Sequence, residues 1–384
     1  MDRRQQPRSS NVPLRIPALD GLRGCAILFV LLYHYVAVPV ATSYQPAGVV
    51  GRSLLALGIM GWSGVDLFFV LSGFLIGGIL LDARESRAYY RVFYARRFFR
   101  IVPLYALLLG VFFACRALTT AGLTPGIRWL VIGEPDAPWW SYATFTQNFW
   151  MAAEGAFGAH FLAVTWSLAI EEQFYLTMPL LVRWLRSRAL LFVLATLIVA
   201  APVLRVLVYL RGDALAPYFL MPCRADALAM GMLAAFGLRR YSSRTWIERH
   251  RRAIVALLGV LTTGVVYLSL LRLPIHGPVM ISVGYTLIAL FFVTLLILTV
   301  TRSEGRLARA LSQNWLRQFG QLAYCIYLTH LIVLWAVKQG LWIAPRPGEV
   351  VATMIAFGMT VGLAWLSWGV FERPLLAIGQ RFRY

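Results

Sequence analysis

Arg23 and His34 bracket ten residues without a charge inside one apolar run of the sequence. On an α-helix, eleven residues advance about 1,100°, or three turns plus roughly 20°, so the two side chains share one face about 16 Å apart. That separation is about half the thickness of a bilayer core. Ionisable groups at membrane depth are costly and usually functional. The pair therefore predicts chemistry inside a membrane.

Other ionisable residues fall at a similar depth in neighbouring apolar segments. At a rise of about 1.5 Å per residue, seven groups from five predicted spans lie roughly 8–10 Å from the outer end of their span. They are His34, Asp66, Glu171, Glu172, Arg224, Asp226 and His330. Two histidines with carboxylates and an arginine are groups that general acid–base catalysis uses. A structural salt-bridge network is the alternative for any one residue, but the whole band favours a site.

A second polar layer is predicted at the inner face, in the loop between the second and third spans. Six arginines crowd there: Arg84, Arg87, Arg91, Arg96, Arg97 and Arg100. Such a cluster can be a topology signal or a contact for anionic lipid headgroups, but the guanidinium fork also suits phosphate. Asp20, one turn before Arg23, is placed to orient it. The functional interpretation joins a phosphate-bearing donor inside to a base outside through the Arg23–His34 face.

Composition sets the class of protein. The 384 residues are 60% hydrophobic and only 14% charged, with a mean hydropathy of +0.70, whereas a soluble domain carries about 25% charged residues. The net charge of +20 would suggest nucleic acid in a soluble chain, but here the basic residues lie between apolar spans. We therefore expect an all-α polytopic membrane protein with no nucleic-acid partner.

Long apolar runs predict ten spans. They cover residues 22–41, 61–81, 101–116, 166–182, 189–210, 219–238, 253–271, 279–300, 319–337 and 350–371. With ten spans, the termini and even-numbered loops hold 26 basic residues and the odd loops hold seven. The asymmetry places both termini in the cytoplasm and the protein in the cytoplasmic membrane. The chain then reads as one domain, 1–384, with a cytoplasmic tail at 1–16, a long extracytoplasmic loop at 117–165 and a cytoplasmic tail at 375–384.

The long loop and the cysteines leave alternatives open. The loop is rich in aromatic residues, which form either an interfacial belt or a platform on which sugar rings of an acceptor stack. Cys115 and Cys223 both fall near the outer face, so they are either disulfide-bonded or small buried hydrophobes. The four cysteines have no metal-ligand spacing, and no metal site is expected.

Seven sequence motifs follow one another from residue 19 to residue 374. They are LDGLRG at 19–24 with the Arg23-x10-His34 spacing, GVDLFFVLSGFLI at 64–76, RRFFRIVPLY at 96–105, TWSLAIEEQFYL at 165–176, CRADALAMG at 223–231, AYCIYLTH at 323–330 and FERP at 371–374. Together they resemble the membrane acyltransferase-3 family, which O-acylates surface polysaccharides and related glycans. The resemblance implies about ten spans, an acyl-CoA donor in the cytoplasm, usually acetyl-CoA, and a sugar hydroxyl acceptor outside. It marks Arg23, His34, Arg97 and Arg100 as essential.

Two departures from the family pattern matter. Family members often have a histidine directly before the Trp-Ser-Leu motif, whereas Val164 and Thr165 precede Trp166 here. The extracytoplasmic hydrolase-like domain that some members carry at the C-terminus is not expected here. Either a separate extracytoplasmic partner takes the acyl group onward or the acceptor is modified directly.

The predicted mechanism gives each candidate residue a role. A hydroxyl needs a base beside it to attack at neutral pH, and we assign that role to His34. Glu171, or failing that Glu172 or Asp66, would hold the imidazole in the correct tautomer; Glu171 is preferred because it shares an i, i+4 stripe with Ser167 and Tyr175. Donor contacts are assigned to Arg23, Arg96, Arg97 and Arg100, although Arg23 could instead only pair with Asp20. Acceptor contacts are assigned to Trp166, Arg224, Asp226 and His330.

Two other classes of protein fit parts of the pattern. A transporter or flippase for a glycan-linked lipid or a small solute also needs buried charges and an outer aromatic vestibule. It does not need an arginine-rich inner loop together with an outer histidine, and the inverted repeats common in transporters are not evident. A structural scaffold does not explain seven intramembrane ionisable groups. No resident cofactor is expected in the preferred interpretation, since acyl-CoA is a substrate.

Overall fold

A computed structural model describes residues 16–44, 46, 48–133, 135–340 and 347–384. The predicted N-terminal tail, 1–16, lies outside the described residues except for Ile16. The described residues form helices and connecting turns, with no β-strand among them. The expectation of an all-α polytopic protein is confirmed.

In the part of the chain that the structure describes, ten long helices form the bundle. They are α1 (Pro17–Ser43), α2 (Gly48–Asp82), α3 (Tyr89–Thr120), α4 (Thr165–Trp184), α5 (Ser187–Leu210), α6 (Ala216–Leu238), α7 (Arg251–Leu270), α8 (Met280–Thr301), α9 (Asn314–Gly340) and α10 (Gly348–Gln380). Among the described residues, nine helices are long and apolar enough to cross a membrane. The exception is α4, which matches the predicted fourth span but carries Glu171, Glu172 and Gln173 near its middle.

Helix α4 nevertheless runs the full depth of the bundle. At its start, the Trp166 ring lies 4.3 Å from the Tyr218 ring, beside the first turns of α6. At its end, Arg84, which follows α2, donates to the carbonyl of Leu185 at 2.6 Å. Ion pairs at 2.6 Å connect the middle and the end of α2 to the first turns of α6 and to the residue that follows α6: Asp66 to Arg224 and Asp82 to Arg239. The residue numbers rise together on the two sides, so the two helices are parallel. The chain changes direction between one spanning helix and the next. Parallel α2 and α6 require an even number of such changes between them. The number is four if α4 crosses and three if it does not, so α4 is counted as a crossing.

Several boundaries differ from the sequence expectation. The second span begins at Gly48 rather than 61, with a tighter 3₁₀ turn at Met60–Ser63 inside it. The third helix begins at Tyr89, so four of the six clustered arginines lie on a helix and not in a loop. Helix α10 continues to Gln380, and the carbonyl of Phe382 accepts two hydrogen bonds from Arg96 at 3.0 and 2.7 Å. Residues 375–380 of the predicted C-terminal tail, 375–384, are therefore helical, and Phe382 contacts α3.

The remaining expectations concern the loop and the cysteines. Trp139 and Trp140 of the long loop are exposed, whereas Tyr142 is buried and bound through its carbonyl to the Tyr105 hydroxyl. All four cysteines are free, so the candidate Cys115–Cys223 disulfide is wrong. Cys223 is buried and behaves as a small hydrophobe.

Two glycines set the distance between α1 and α9. A Cβ atom at Gly320 would lie 1.8 Å from the carbonyl oxygen of Asp20, and one at Gly24 would lie 2.1 Å from that of Leu316. Only glycine allows two backbones to approach this closely. His34 and His330 lie ten residues beyond these glycines on the two helices, which run in the same direction. The close approach therefore brings the two histidines together.

Candidate active site

A cavity of about 570 Å³ lies between α1, α2, α3, α4, α9 and α10. This volume falls in the range of small-molecule sites, roughly 300–1,000 Å³. Four of the sequence-predicted residues line it: Arg23, Arg97, Arg100 and Glu171. The last turns of α10 add Arg373, a residue to which the sequence analysis gave no role.

The cavity has a basic end. Arg97, Arg100 and Arg373 line it, and none has a carboxylate within ion-pair distance among the described residues. The Arg97 guanidinium lies over the Tyr175 ring, 5.3 Å from its centroid. Arg23 lies there too and is paired with Asp20 at 3.8 Å, so the two interpretations of Arg23 do not exclude each other. Unpaired guanidinium groups at a cavity mouth suit a multiply charged phosphate ligand.

The predicted stripe on α4 faces this cavity. Ser167, Glu171 and Tyr175 all line it. The Tyr175 hydroxyl donates to Glu171 at 2.8 Å, and Ser72 of α2 makes a short contact with the same hydroxyl. Glu171 therefore bonds within its own helix, and it does not contact His34.

His34 pairs with His330 instead. Nδ1 of His34 lies 3.2 Å from Nε2 of His330 and 3.1 Å from the carbonyl oxygen of Val30. Nδ1 of His330 lies 2.8 Å from the carbonyl oxygen of Tyr327 and 3.1 Å from that of Ile326. The expectation that Glu171, Glu172 or Asp66 holds the His34 imidazole is wrong, because the partner is a second imidazole on α9.

The carbonyl contacts fix the tautomers of a neutral pair. A carbonyl oxygen only accepts, so Nδ1 of His330 carries its proton and Nε2 is an acceptor. Nδ1 of His34 then donates to that acceptor. The free lone pair of His34 is consequently on Nε2, which is the atom that can remove a proton from a hydroxyl.

The histidines lie beyond one end of the cavity and do not line it. Tyr327 connects the two regions: its side chain lines the cavity and its carbonyl accepts from His330. Its hydroxyl lies 2.5 Å from Ser167 Oγ. His34 itself lies in a π-helical turn, Leu32–Ala37. Such turns widen the helix and often occur at functional sites.

A buried ion-pair network outside the cavity contains Asp66, Arg224 and Asp226. Asp66 and Arg224 form an ion pair that is 99% buried on both sides. Asp226 pairs with Arg205 at 3.0 Å and also accepts from Thr286 at 2.7 Å. These contacts tie α2, α5, α6 and α8 together. Asp66 as a catalytic residue and Arg224 and Asp226 as acceptor contacts are therefore not supported, because all three are enclosed in an ion-pair network away from the cavity.

Aromatic rings enclose the Arg224 guanidinium. It lies 4.2 Å from the Tyr285 ring centroid and 5.4 Å from that of Tyr218. His276, in the turn between α7 and α8, packs edge-on against Tyr218 at 4.8 Å. Burial, followed by the positive charge of Arg224, lowers the pKa of His276 to about 4. His276 is thus neutral at physiological pH.

Three further candidates also lie outside the cavity. Glu172 has one buried carboxylate oxygen without a hydrogen-bond partner in the described part of the chain. Trp166 is buried against Tyr218 and Phe69 rather than open to an acceptor. Arg96 is bound to the Phe382 carbonyl and does not line the cavity. Glu172 and Trp166 were predicted on the correct helix, whereas Arg96 was predicted in a loop and lies on α3. None of the three lines the cavity.

No group of three or more metal-ligating side chains occurs among the described residues.

Two residues that sequence reasoning missed are Tyr327 and Arg373. Both lie in quoted motifs, AYCIYLTH and FERP, and this was the only signal available for them.

Comparison with known protein families gives a match over nearly the whole chain. The sequence profile described as an acyltransferase domain matches residues 16–369. The chain belongs to the acyltransferase-3 family. The family assignment made from the seven motifs is confirmed, and with it an integral-membrane acyltransferase domain.

Three curated relatives carry the name of an O-acetyltransferase, one of them as putative. The chain is 26% identical over 375 residues to the peptidoglycan O-acetyltransferase OatA of Listeria monocytogenes, covering 94% of this chain and 56% of that protein. It is 26% identical over 379 residues to the O-acetyltransferase OatA of Staphylococcus aureus, covering 94% and 57%. It is 29% identical over 384 residues to the putative peptidoglycan O-acetyltransferase YrhL of Bacillus subtilis, covering 95% and 56%. The chain thus spans little more than half the length of these relatives, and no solved structure matches it.

Proposed function

We propose that this protein is a membrane O-acetyltransferase that moves an acetyl group from acetyl-CoA in the cytoplasm to a hydroxyl of a glycan or glycan-linked lipid at the outer face. The observation that carries the proposal is the arrangement of one cavity: unpaired arginines at one end and a histidine pair just beyond the other. The names of the relatives point to peptidoglycan as the class of acceptor.

The donor enters at the basic end. Arg97, Arg100 and Arg373 bind the phosphates of acyl-CoA, and the acyl thioester extends along the cavity toward Ser167 and Tyr327. Charge-assisted bonds to phosphate contribute roughly 1.5–3 kcal/mol each. Arg23 lies on the same face of α1 as His34, about 16 Å nearer the basic end. It contacts the donor between the phosphates and the thioester.

His34 carries the chemistry at the other end. Its Nε2 removes the proton from the acceptor hydroxyl as the oxygen attacks the acyl carbon of the thioester. The C–S bond then breaks, and the thiolate leaves with the proton from His34, so that the ester and free CoA are formed. His330 accepts the Nδ1 hydrogen bond throughout and stabilises the transient imidazolium.

The proposal is tested with purified protein in proteoliposomes, with radiolabelled acetyl-CoA on the side of the arginines and a peptidoglycan oligosaccharide as acceptor. Wild type should transfer a base-labile acetyl group to the oligosaccharide. His34→Ala should reduce the rate by about 10²–10⁴-fold, the usual contribution of a general base. Wild-type protein that transfers no label to any glycan, or His34→Ala with the wild-type rate, would contradict the proposal.

The donor site has its own test. Arg97→Gln with Arg100→Gln should raise the KM for acetyl-CoA by about tenfold or more, while the KM for the acceptor changes little. Arg91→Gln is the matched control, because Arg91 lies on the same helix but outside the cavity and packs over Phe382. Equal effects of the double variant on both KM values would show a general structural role for these arginines.

A further inference from the structure

A second cavity, of about 400 Å³, lies at the opposite end of the bundle from Arg97 and Arg100. It is enclosed by the end of α1, the first half of α2, the end of α7 and the start of α8. Ala41, Leu55, Trp62, Leu268 and Met280 are among its apolar lining residues. It shares no lining residue with the first cavity and has no role in the proposed acyl transfer.

Two arginines line this cavity. Arg52 lies on α2, and Arg272 lies in the turn after α7. Neither has an ion-pair partner among the described residues. Arg52 Nε donates to the carbonyl of Gly48 at 3.1 Å, which leaves its two terminal nitrogens free. Both arginines are exposed at the cavity mouth.

A buried hydroxyl also lines the cavity. Ser269 is 5% exposed, and its Oγ has no hydrogen-bond partner in the described residues. A buried hydroxyl without a partner destabilises the fold, so such groups usually have a ligand or water. Two guanidinium groups and one hydroxyl are donors that suit a phosphate group.

The surroundings of the cavity are apolar. Next to it, the outer side of α2 exposes Val49, Val50 and Leu54, and α7 exposes Val260 and Leu270. Exposed aliphatic faces on membrane helices contact lipid chains. A ligand that places its phosphate between the arginines can therefore lay its tails along these faces.

From this geometry we infer that the second cavity is a binding site for the phosphate-bearing headgroup of an anionic membrane lipid. The charge of the site selects a net negative headgroup over a zwitterionic one. The inference rests on Arg52, Arg272 and Ser269 and does not depend on the proposed acyl transfer.

The test measures binding of tail-labelled fluorescent phosphatidylglycerol to the full-length protein in neutral detergent, with phosphatidylcholine of the same chains as the comparison lipid. Wild type should bind phosphatidylglycerol about tenfold more tightly than phosphatidylcholine. Arg52→Gln with Arg272→Asn should remove most of that preference. Ser269→Ala should weaken phosphatidylglycerol binding about threefold or more.

The choice of Arg272→Asn separates binding from folding. Arg272 has a φ of +52°, in the left-handed region that asparagine tolerates better than arginine. The variant should therefore unfold at a temperature equal to or above that of wild type, while it binds less anionic lipid. Arg211→Gln is the control, since Arg211 is an exposed arginine in another turn and does not line the cavity.

Three results would overturn the inference. They are equal binding of the two lipids by wild type, unchanged phosphatidylglycerol binding by the double variant, and an equal loss in Arg211→Gln. A competition arm distinguishes the source of the phosphate: inorganic phosphate at millimolar concentration should not displace the lipid. Complete displacement would show a site for free phosphate and overturn the assignment to a lipid.

Discussion

A neutral imidazole, rather than a carboxylate, orients the proposed base. A buried carboxylate next to His34 would have to be desolvated, which costs several kcal/mol in a membrane interior. His330 is fully buried, and its Nδ1–H donates hydrogen bonds to two backbone carbonyl oxygens. Its Nε2 is therefore fixed as a hydrogen-bond acceptor. His330 therefore orients the His34 imidazole without an anion buried beside it.

His330 is accordingly a positioning residue. Variants at this position should distinguish the loss of its hydrogen-bond acceptor from the loss of its side-chain volume. His330→Leu removes the acceptor for the His34 Nδ1 proton, so the rate of acetyl transfer should fall by about 10²-fold or more. His330→Gln, whose side-chain oxygen can accept the same bond, should recover part of the rate. The pH dependence of kcat should change in both variants, with little change in the KM for acetyl-CoA. Equal activity of the leucine and glutamine variants would contradict the orienting role.

Sequence reasoning determines how deep a residue lies more reliably than which way it points. Counting residues from span ends correctly put His34 level with His330 and Asp66 level with Arg224, although α2 begins at Gly48 rather than at 61. The helix periodicity on α4 correctly grouped Ser167 with Glu171 and Tyr175. The direction of Asp66 around its helix axis depends on which helix packs beside it. Asp66 meets Arg224 because α2 packs against α6, a contact between residues 158 positions apart. No local pattern specifies such a contact.

The close packing of helices α1 and α9 depends on glycines in both of them. Glycines on α1 and α9 allow backbone contact at one end of the pair, and the histidines meet ten residues farther along. The glycines therefore act on the site through the separation of two helices.

Gly320→Val tests this link. Its Cβ would lie 1.8 Å from the Asp20 carbonyl oxygen, so α1 and α9 must separate and the His34–His330 contact must lengthen. We expect a loss of about 1–3 kcal/mol of stability from overpacking and a lower rate of transfer. Gly358→Val in α10 is the control, because a Cβ there meets nothing within 4 Å. Thermal unfolding and the transfer assay report the two effects, and equal behaviour of the two variants would refute the role of the close contact.

The turn between α7 and α8 should make stability depend on pH through His276. Its pKa is lowered from 6.5 to about 4 in the folded protein, so the unfolded chain binds more protons between these values. Stability therefore falls as the pH is lowered from about 6.5 toward 4. His276→Gln lacks this titration, and the difference in Tm between wild type and variant should shrink or reverse at low pH. A difference that is constant across the range would show that His276 does not titrate in this way.

At the scale of the whole molecule, one polar helix decides the topology. The lipid-facing helices α5, α7 and α10 are apolar by composition, whereas α4 is polar because it supplies Glu171 and Tyr175 to the cavity. A criterion of length and apolar composition leaves α4 out of the membrane-spanning helices, although the apolar run at 166–182 predicts it as the fourth span. Without this crossing, every later helix would have the opposite orientation. The two ion pairs between α2 and α6, which show that these helices are parallel, support the crossing of the membrane by α4.

This topology can be checked with single cysteines in a variant whose four native cysteines are replaced by alanine. Glu154→Cys and Arg188→Cys place exposed thiols just before and just after α4. If α4 crosses and the arginine-rich side is cytoplasmic, an impermeant maleimide should label the first in intact cells and the second only after permeabilisation. Labelling of both from one side would exclude the crossing and, with it, a cavity that reaches through the membrane. Labelling in the reverse order would keep the crossing but invert the protein, so that the arginines would face away from the cytoplasmic pool of acyl-CoA and the proposed direction of transfer would be wrong.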